Sequence, residues 1–266
     1  MDSGALGERA LPTTKHMHEL YEILNDTILA LEEMKRAGVT HVEVSRETLE
    51  ELGQAPVVAG AAPQATKASP PTASSSEVSP ELARIEARAK VCVKCPELVR
   101  CRHNVVFGIG DPHAELMFIG EAPGRDEDLE GEPFVGRAGE LLTKIIQAMG
   151  LKRHEVYIAN VLKCRPPENR TPLPDEVANC LPYLLSQIEL IKPKVIVALG
   201  ATAMKALLDI QLGITKIRGN WYAFRGIPIM PTFHPAYLLR NPDAKKDVWK
   251  DMQTVLAKLG REVPKR

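Results

Sequence analysis

The densest group of ionisable side chains in the sequence is a twelve-residue stretch, Glu121 to Glu132, that contains six carboxylates. It directly follows the apolar run Leu116 to Ile119, which is typical of a buried strand. Carboxylates at such a position can stabilise developing positive charge or position a water molecule for attack. They also repel phosphates, so we expect only one or two of the six to face a reaction centre.

The five cysteines indicate a second candidate site. Cys92 and Cys95 have a spacing at which two thiolates can converge on one metal centre from a single turn. Cys164 and Cys180 could complete a four-thiolate site, and Cys101 would then not take part in it. Four thiolates suit zinc or an iron–sulfur cluster, and the spacing does not decide between them. The alternative is that Cys164 and Cys180 are small buried hydrophobic residues.

Short apolar runs alternate with helical patterns from residue 82 onward, and these elements must position the reactive side chains. We predict strands over 115–119, 156–159, 195–199 and 227–231. We predict helices over 136–149, 174–190, 201–208 and 244–259. This alternation predicts an α/β protein with a parallel sheet that helices cover on both faces.

Sheets of this kind bind ligands beyond the carboxyl ends of their strands. The segments at those ends are GEAPGRDED, NVLKCRPPENR, GATA and TFHPAYLLRN. Three of them are crowded with polar, charged and proline residues, and GATA is the bland exception. The three polar segments are therefore candidate site loops on physical grounds alone.

The first 81 residues differ in kind from the rest. Residues 1–52 are predicted to form a helical appendage, with an amphipathic helix over 15–37. Residues 53–81 are rich in Ala, Pro and Ser, and we predict a disordered linker because this composition cannot bury enough apolar surface to fold. Residues 82–266 are then the main folded domain. The appendage either binds a protein partner or is a plain helical extension.

The net charge of zero conceals an asymmetry between the two parts of the chain. Residues 1–81 contain 6 Lys and Arg against 13 Asp and Glu, whereas residues 82–266 contain 28 against 21. The basic surplus of the second part suits a polyanionic partner, and it also suits ordinary surface charge.

Several classes of protein are disfavoured because the sequence lacks the motifs typical of them. No apolar stretch reaches the roughly 18 residues of a membrane span, and the N-terminus lacks the features of a secretory signal. The Gly108-Ile-Gly110 segment does not complete a dinucleotide-binding fingerprint, and no phosphate-binding P-loop motif is present. Val91 replaces the proline that zinc-dependent base deaminases carry before their cysteine pair. We expect a cytoplasmic protein that uses its cysteines for metal binding.

Three long motifs resemble one known family. They are GEAPGRDEDLEGEPFVGRAGELL, NVLKCRPPENRTP and HPAYLLRNP, and they follow the CxxC pair in family order. The region from Cys92 to Trp249 is similar to the iron–sulfur uracil-DNA glycosylases, family 4 (type 4) of that superfamily. The resemblance implies a three-layer α/β/α sandwich with a central, mainly parallel four-stranded sheet. It also implies a DNA-repair enzyme that flips uracil out of DNA, hydrolyses its N-glycosidic bond and leaves an abasic site.

The resemblance further implies uracil-containing DNA as the partner and, within the cytoplasm, association with the nucleoid. A monomer is only the default expectation. Two other functions stay open: a non-catalytic or covalent uracil-DNA-binding member of the superfamily, and a zinc-stabilised nucleotide-binding protein. The covalent branch has an insert with an extra His and Arg after the second strand. The segment from Cys164 to Arg170 contains no His, which argues against covalent trapping.

By the same resemblance, four cysteines are the ligands of a structural [4Fe–4S] cluster: Cys92, Cys95, Cys164 and Cys180. Cys101 lies where the family often has a small residue, and we predict that it is not a ligand.

The resemblance also implies how the base is bound. Phe134 stacks on the flipped base. The Asn160 amide donates to O4 and accepts from N3–H, which fits uracil and mismatches cytosine. His234 donates to O2 as negative charge develops there, with help from backbone N–H groups of the turn after the first strand. The expected substrate-binding set is Gly120, Glu121, Ala122, Pro123, Phe134, Asn160 and His234.

The remaining roles concern the sugar and the DNA strand. Glu121 and Glu127 are the expected catalytic carboxylates, with Asn169 helping to hold the water. Leu238 is expected to insert as a wedge into the base stack, at the position that the flipped nucleotide leaves, with core packing as the alternative. Arg240 is the expected phosphate contact. The other acidic-loop side chains are expected to be solvated: Asp126, Asp128, Glu130 and Glu132.

Overall fold

The computed structural model describes residues 79–264 of the chain. The predicted N-terminal appendage and nearly all of the predicted linker lie outside the described residues. The first described helix, α1 (Pro80–Lys90), begins two residues before the boundary expected at residue 82. Among the described helices, none combines the length and apolarity that a membrane span requires.

The centre of the fold is a mixed sheet. Its strands are β1 (Ile109–Gly110), β2 (Leu116–Gly120), β3 (Tyr157–Asn160), β4 (Val195–Leu199), β5 (Tyr222–Phe224) and β6 (Ile227–Thr232). Their order across the sheet is β1-β3-β2-β4-β6-β5. The four inner strands are parallel, and they are the four strands that the sequence predicts.

The expectation of a four-stranded sheet is wrong, because an antiparallel strand is added at each edge. β1 pairs with β3, and β5 pairs with β6. β1 is two residues long and ends in glycine, so it has no periodic pattern to recognise. β5 joins β6 through Arg225 and Gly226, which have φ values of 48° and 82°. Two residues with positive φ form the tight hairpin turn that suits twisted strands.

Helices cover both faces of the sheet, as predicted. The longer ones are α4 (Arg137–Ala148), α5 (Pro174–Ile191), α6 (Ala201–Leu208) and α9 (Lys245–Lys258), within two residues of their predicted bounds. The shorter ones are α2 (Pro96–Cys101), α3 (Arg125–Glu130), α7 (Ile214–Ile217) and α8 (Pro235–Arg240). One apolar core lies between the sheet and α1, α5 and α6, and a second lies between the sheet and α4 and α9. These two cores give the three-layer α/β/α sandwich.

The strand register brings the site loops together at one edge of the sheet. Gly120 pairs with Asn160, and Leu199 pairs with Thr232, so the parallel strands end at nearly the same level. The chain leaves β2 toward β3 on one side, and it leaves β4 toward β6 on the other. A crevice therefore opens between the loops after β2 and β4, which is where open α/β sheets bind ligands.

Candidate functional site

The loops after the four parallel strands line a cleft with a volume of ≈ 490 Å³. It contains the base-site, catalytic and DNA-contact residues expected from the sequence, apart from Gly120 and Leu238. The acidic loop, the loop after β3 and the His234 loop thus meet at one place. The fold explains why these three loops lie close together, since all three follow parallel strands.

Gly120 lies beneath the cleft, and its missing side chain makes room for two others. A Cβ on Gly120 would lie 2.4 Å from Asn160 Oδ1 and 2.6 Å from Phe134 Cζ. Phe134 itself has a φ of 56°, and its carbonyl oxygen would lie 1.8 Å from a Cβ on Gly139 in α4. Two glycines therefore allow the ring of Phe134 and the amide of Asn160 to sit side by side.

The Asn160 side chain has an acceptor atom without a hydrogen-bond partner. Asn160 is 2% exposed, and its Oδ1 is the one buried side-chain polar atom in residues 79–264 that has no hydrogen-bond partner. A buried acceptor without a partner costs about 1–3 kcal/mol. The atom borders the cleft, so a ligand that supplies an N–H donor would recover this cost.

His234 is held as a neutral imidazole. Burial, with a smaller contribution from the charge of Arg240, lowers the pKa of His234 to about 4. Its Nδ1 accepts a hydrogen bond from the Ala236 backbone N–H at 3.2 Å, at the start of α8. The proton of the neutral ring is therefore on Nε2, which is free to donate. The ring centre lies 5.5 Å from that of Phe134.

Glu127 holds the acidic loop by three main-chain contacts. One carboxylate oxygen accepts from the Gly124 N–H at 3.0 Å, and the other accepts from Val135 and Gly136 at 3.2 and 3.3 Å. These bonds fix the segment that carries Phe134. Glu127 lines the cleft, but its oxygens are engaged within the loop.

Glu121 is positioned by the first turn of α6, which follows β4, and by the loop after β3. The Thr202 hydroxyl donates to a carboxylate oxygen of Glu121, and the Glu121 carbonyl accepts from the Leu162 N–H at 3.0 Å. Side chain and main chain are thus fixed by different segments. This geometry keeps one carboxylate at the crevice between β2 and β4.

One carboxylate of the acidic loop is buried, contrary to expectation. Asp128 is 0% exposed and accepts hydrogen bonds from the backbone N–H groups of His103 and Asn104. It also pairs with His103 Nδ1 at 2.7 Å. Asp128 therefore anchors the loop to the segment after α2, and the prediction that it is solvated is wrong. Asp126, Glu130 and Glu132 are exposed, as expected.

The assignment of Leu238 as a wedge is also wrong. Leu238 is 0% exposed and packs in the core shared with α4 and α9, so it cannot enter a duplex. Its neighbour Leu239 is 38% exposed. Arg240 is exposed and borders the cleft. Asn169 is also at the rim, where its Oδ1 accepts from Arg165 Nε at 2.8 Å.

Comparison with known proteins places this geometry in a family. Residues 107–253 match the model of the uracil DNA glycosylase superfamily. The type-4 uracil-DNA glycosylase of Thermotoga maritima is 53% identical over 161 residues, which cover 59% of this chain and 82% of that protein. That of Archaeoglobus fulgidus is 43% identical over 181 residues, covering 65% and 90%. A type-5 uracil-DNA glycosylase of Pyrobaculum aerophilum is 31% identical over 183 residues, covering 56% and 80%.

The chain belongs to the type-4 uracil-DNA glycosylases. The resemblance read from the three sequence motifs is therefore confirmed. The cleft of this glycosylase contains the conjunction expected of such a family member: an aromatic ring, a buried amide and a neutral imidazole at the strand ends.

The four cysteines named as ligands lie near one another in the glycosylase. Cys95 interacts electrostatically with Cys164 and Cys92, Cys180 with Cys164 and Cys95, and Cys164 with Cys92. Burial raises the pKa of Cys95, Cys164 and Cys180, that of Cys180 to about 12. Cys101 is exposed.

Three N–H groups point at the cysteine sulfurs. Arg102 donates to Cys164 at 3.1 Å, the Lys163 backbone to Cys180 at 3.1 Å, and Asn179 to Cys95 at 3.7 Å. Hydrogen bonds to sulfur are a feature of cysteines that ligate iron–sulfur clusters. The donor set therefore fits such a group. No three His, Cys, Asp or Glu side chains in residues 79–264 are grouped so as to hold a single metal ion.

An ion-pair network connects the segments on either side of the cysteine region. Arg170 donates to both carboxylate oxygens of Glu176, at 2.7 and 2.9 Å, and to Glu97 at 2.9 Å. Glu97 is in α2, just after Cys95, and Glu176 is in α5, which carries Cys180. The network thus joins α2, which Cys95 directly precedes, to α5, which carries Cys180.

Sequence reasoning missed two residues that support the site through hydrogen bonds to Glu121 and Asn160. Thr202 belongs to GATA, which carries no charge and only one hydroxyl, so nothing in its composition marks it as functional. Lys163 entered the sequence analysis only as one of the 28 Lys and Arg of residues 82–266, yet it is 1% exposed. Its position between Asn160 and Cys164 in the chain was the available signal.

Proposed function

We propose that the cleft binds a uracil flipped out of DNA and that the chain hydrolyses the N-glycosidic bond, releasing free uracil and leaving an abasic site. The observation that carries this proposal is the buried, unpartnered Oδ1 of Asn160 in a cleft that also contains a neutral His234. Uracil in a duplex is stacked and paired, so flipping must precede the chemistry.

Base selection rests on Asn160. Its Oδ1 accepts from the N3–H of uracil, and its amide group donates to O4. Cytosine has no hydrogen on N3 and carries a donor in place of O4, so it leaves buried polar groups unpaired, which supports strong discrimination. Phe134 provides the stacking surface, worth about 1–3 kcal/mol per base.

Bond cleavage uses the neutral His234. As the bond between N1 and C1′ breaks, its electron pair passes to the base, and the Nε2–H of His234 donates to O2 where the negative charge collects. A donor that is already oriented costs no reorganisation during the reaction. The oxygen of a water molecule bonds to C1′, and the released proton passes to solvent.

The developing positive charge on the sugar faces Glu121. Thr202 holds one of its carboxylate oxygens, which leaves the other for the sugar or the attacking water. We assign to Glu127 the positioning of the Gly124 turn and of Phe134, because its oxygens accept three backbone N–H groups. Asn169 at the rim completes the catalytic set.

Contacts with the DNA strand come from the loop after β6. Arg240 is exposed at the cleft and binds a phosphate in this proposal. Leu239, on the exposed side of α8, takes the wedge role that the buried Leu238 cannot perform. A wedge offsets the cost of unstacking by filling the vacated position.

We propose a [4Fe–4S] cluster for Cys92, Cys95, Cys164 and Cys180. Two observations support it: N–H groups donate to the sulfurs of Cys95, Cys164 and Cys180, and the type-4 relatives belong to an iron–sulfur family. When bound, the cluster supplies a covalent link between the segment before β1, the loop after β3 and α5.

The test is release of free uracil from a labelled duplex that contains one deoxyuridine. We expect the wild-type chain to release uracil, and the Asn160→Ala and His234→Ala variants to lose at least about 100-fold in rate. His113→Ala, an exposed histidine at the far end of the sheet, is the matched control. Binding of the duplex by the wild type without release, or near-normal rates in both cleft variants, would contradict the proposal.

A further inference from the structure

Lys163 is a lysine with no access to solvent. It is 1% exposed, and its ammonium donates to the Asn160 carbonyl oxygen at 2.8 Å and to Gln187 Oε1 at 2.6 Å. The ammonium also lies 5.7 Å from the ring centre of Phe107. Its main-chain N–H donates to Cys180 Sγ at 3.1 Å. One residue therefore contacts both the base-reading strand end and the cysteine region.

The ammonium of Lys163 is held by two uncharged acceptors. They are the Asn160 carbonyl oxygen and Gln187 Oε1. A buried donor that loses an acceptor is costly to leave unsatisfied. Both contacts therefore hold the ammonium in one place.

The side chain of Gln187 fixes the ammonium from the other side. It donates to the Phe107 carbonyl at 3.0 Å and to the Tyr157 hydroxyl at 3.1 Å while it accepts from Lys163. All of these groups are buried or nearly so, and a satisfied buried network of this kind rigidifies its surroundings. The position of the Asn160 main chain is thereby set from behind the cleft.

We infer that Lys163 is a positioning residue that ties Asn160 to the cysteine centre, so that the metal region helps to set the geometry of base recognition. This inference rests on the proposed function of the cleft. The main chain of Lys163 is held by Cys180, and its side chain holds the carbonyl of Asn160. A shift at the cysteines therefore moves the amide that reads the base.

The experiment compares three variants. Lys163→Met keeps the length of the side chain but removes the ammonium. Gln187→Met removes the second anchor of the ammonium and leaves the residue beside Cys164 unchanged. Tyr157→Phe is the control, because it removes a hydroxyl from the same network without touching Lys163 or Asn160. Each is measured for uracil release, iron content and visible absorption.

Affinity is measured as well, for a duplex with a non-cleavable 2′-fluoro-deoxyuridine and for an undamaged duplex. We expect Lys163→Met to lose about 100-fold in kcat/KM, the typical effect of a small misplacement in a site. We expect weaker binding of the 2′-fluoro duplex, unchanged binding of the undamaged duplex, and iron content equal to that of the wild type. Gln187→Met should lose about 10-fold by the same reasoning, and Tyr157→Phe should match the wild type.

Two results would overturn the inference. One is an iron-replete Lys163→Met variant with wild-type kcat/KM and wild-type affinity for the 2′-fluoro duplex. The other is an equal loss of affinity for both duplexes, which would indicate general disruption. If Lys163→Met does not fold, wild-type behaviour of Gln187→Met overturns the inference. Failure of the proposed function is distinct, since then the wild type itself releases no uracil.

Discussion

The Thr202 hydroxyl donates a hydrogen bond to the Glu121 carboxylate, and this bond joins the first turn of α6, directly after β4, to the loop after β2. The crevice of the sheet opens between these two segments. The contact places the start of α6 in the candidate active site and gives Glu121 a fixed orientation. The composition of GATA alone does not reveal this role.

Replacing Thr202 tests the contact directly. We expect Thr202→Val, which keeps the shape of the side chain, to lower kcat by about 10- to 100-fold, because a hydrogen bond to a charged group contributes about 1.5–3 kcal/mol. Thr202→Ser keeps the hydroxyl and should retain most of the rate. Uracil-release kinetics check both. Equal rates for Thr202→Val and wild type would show that Glu121 needs no such support.

Gly120 should tolerate no side chain. In Gly120→Ala, the new Cβ would lie 2.4 Å from Asn160 Oδ1 and 2.6 Å from Phe134 Cζ, so one of the two must leave its place. We expect a loss of about 100-fold in kcat/KM with the sheet intact by circular dichroism. Gly213→Ala is the control, because a Cβ there would meet no atom within 4 Å. A fully active Gly120→Ala variant would contradict the proposed base site.

The lowered pKa of His234 predicts a pH-dependent stability. Its pKa is about 4 in the folded chain and about 6.5 in the unfolded one, so between these values the unfolded state binds more protons. The free energy of unfolding should therefore fall as pH decreases from 6.5 to 4, by up to about 1.4 kcal/mol per pH unit from this residue.

His234→Asn isolates that contribution, since Asn also accepts the N–H at the start of a helix. Urea unfolding at pH 7 and pH 4.5 should show a smaller difference for His234→Asn than for the wild type. The exposed His113→Asn variant should keep the wild-type difference. An identical pH difference in the wild type and both variants would exclude a buried neutral His234.

Leu239 is the exposed one of the two adjacent leucines of α8, and its proposed wedge role can be tested. We expect Leu239→Ala to reduce uracil release from a duplex about tenfold and to leave release from a single strand nearly unchanged, because a wedge acts only where a stack must be opened and held, at a cost of a few kcal/mol. Leu212→Ala, at an exposed leucine 52% accessible, is the matched control. Equal losses on single and double strands would remove the wedge role from Leu239.

The sequence predicts the framework of the fold well because its inner strands and long helices have strong periodic patterns. The four parallel strands and four longer helices follow from these patterns, and the three site loops follow from their position after strands. The edge strands β1 and β5 escape prediction because pairing with a neighbour, more than their own two or three residues, defines them.

Individual side chains were harder to predict where a distant partner decides their environment. Asp128 is indistinguishable from its acidic neighbours in the sequence, and it is buried because His103 and Asn104, some 25 residues earlier, surround it. Leu238 and Leu239 are identical in type, and the face of α8 that meets the core decides which one is exposed. The expected wedge at Leu238 failed for the same reason, and core packing, the alternative, is what the structure has.

The left-handed conformation of Phe134 has a consequence for evolution and engineering. Such a conformation costs on the order of 1–3 kcal/mol in a non-glycine residue, and here the contact of its carbonyl with Gly139 of α4 accompanies it. The position of the Phe134 ring thus depends on how α4 packs against the segment that carries it. Under the proposed function, substitutions in the interior of that helix can therefore change which bases are accepted without replacing any residue that contacts them.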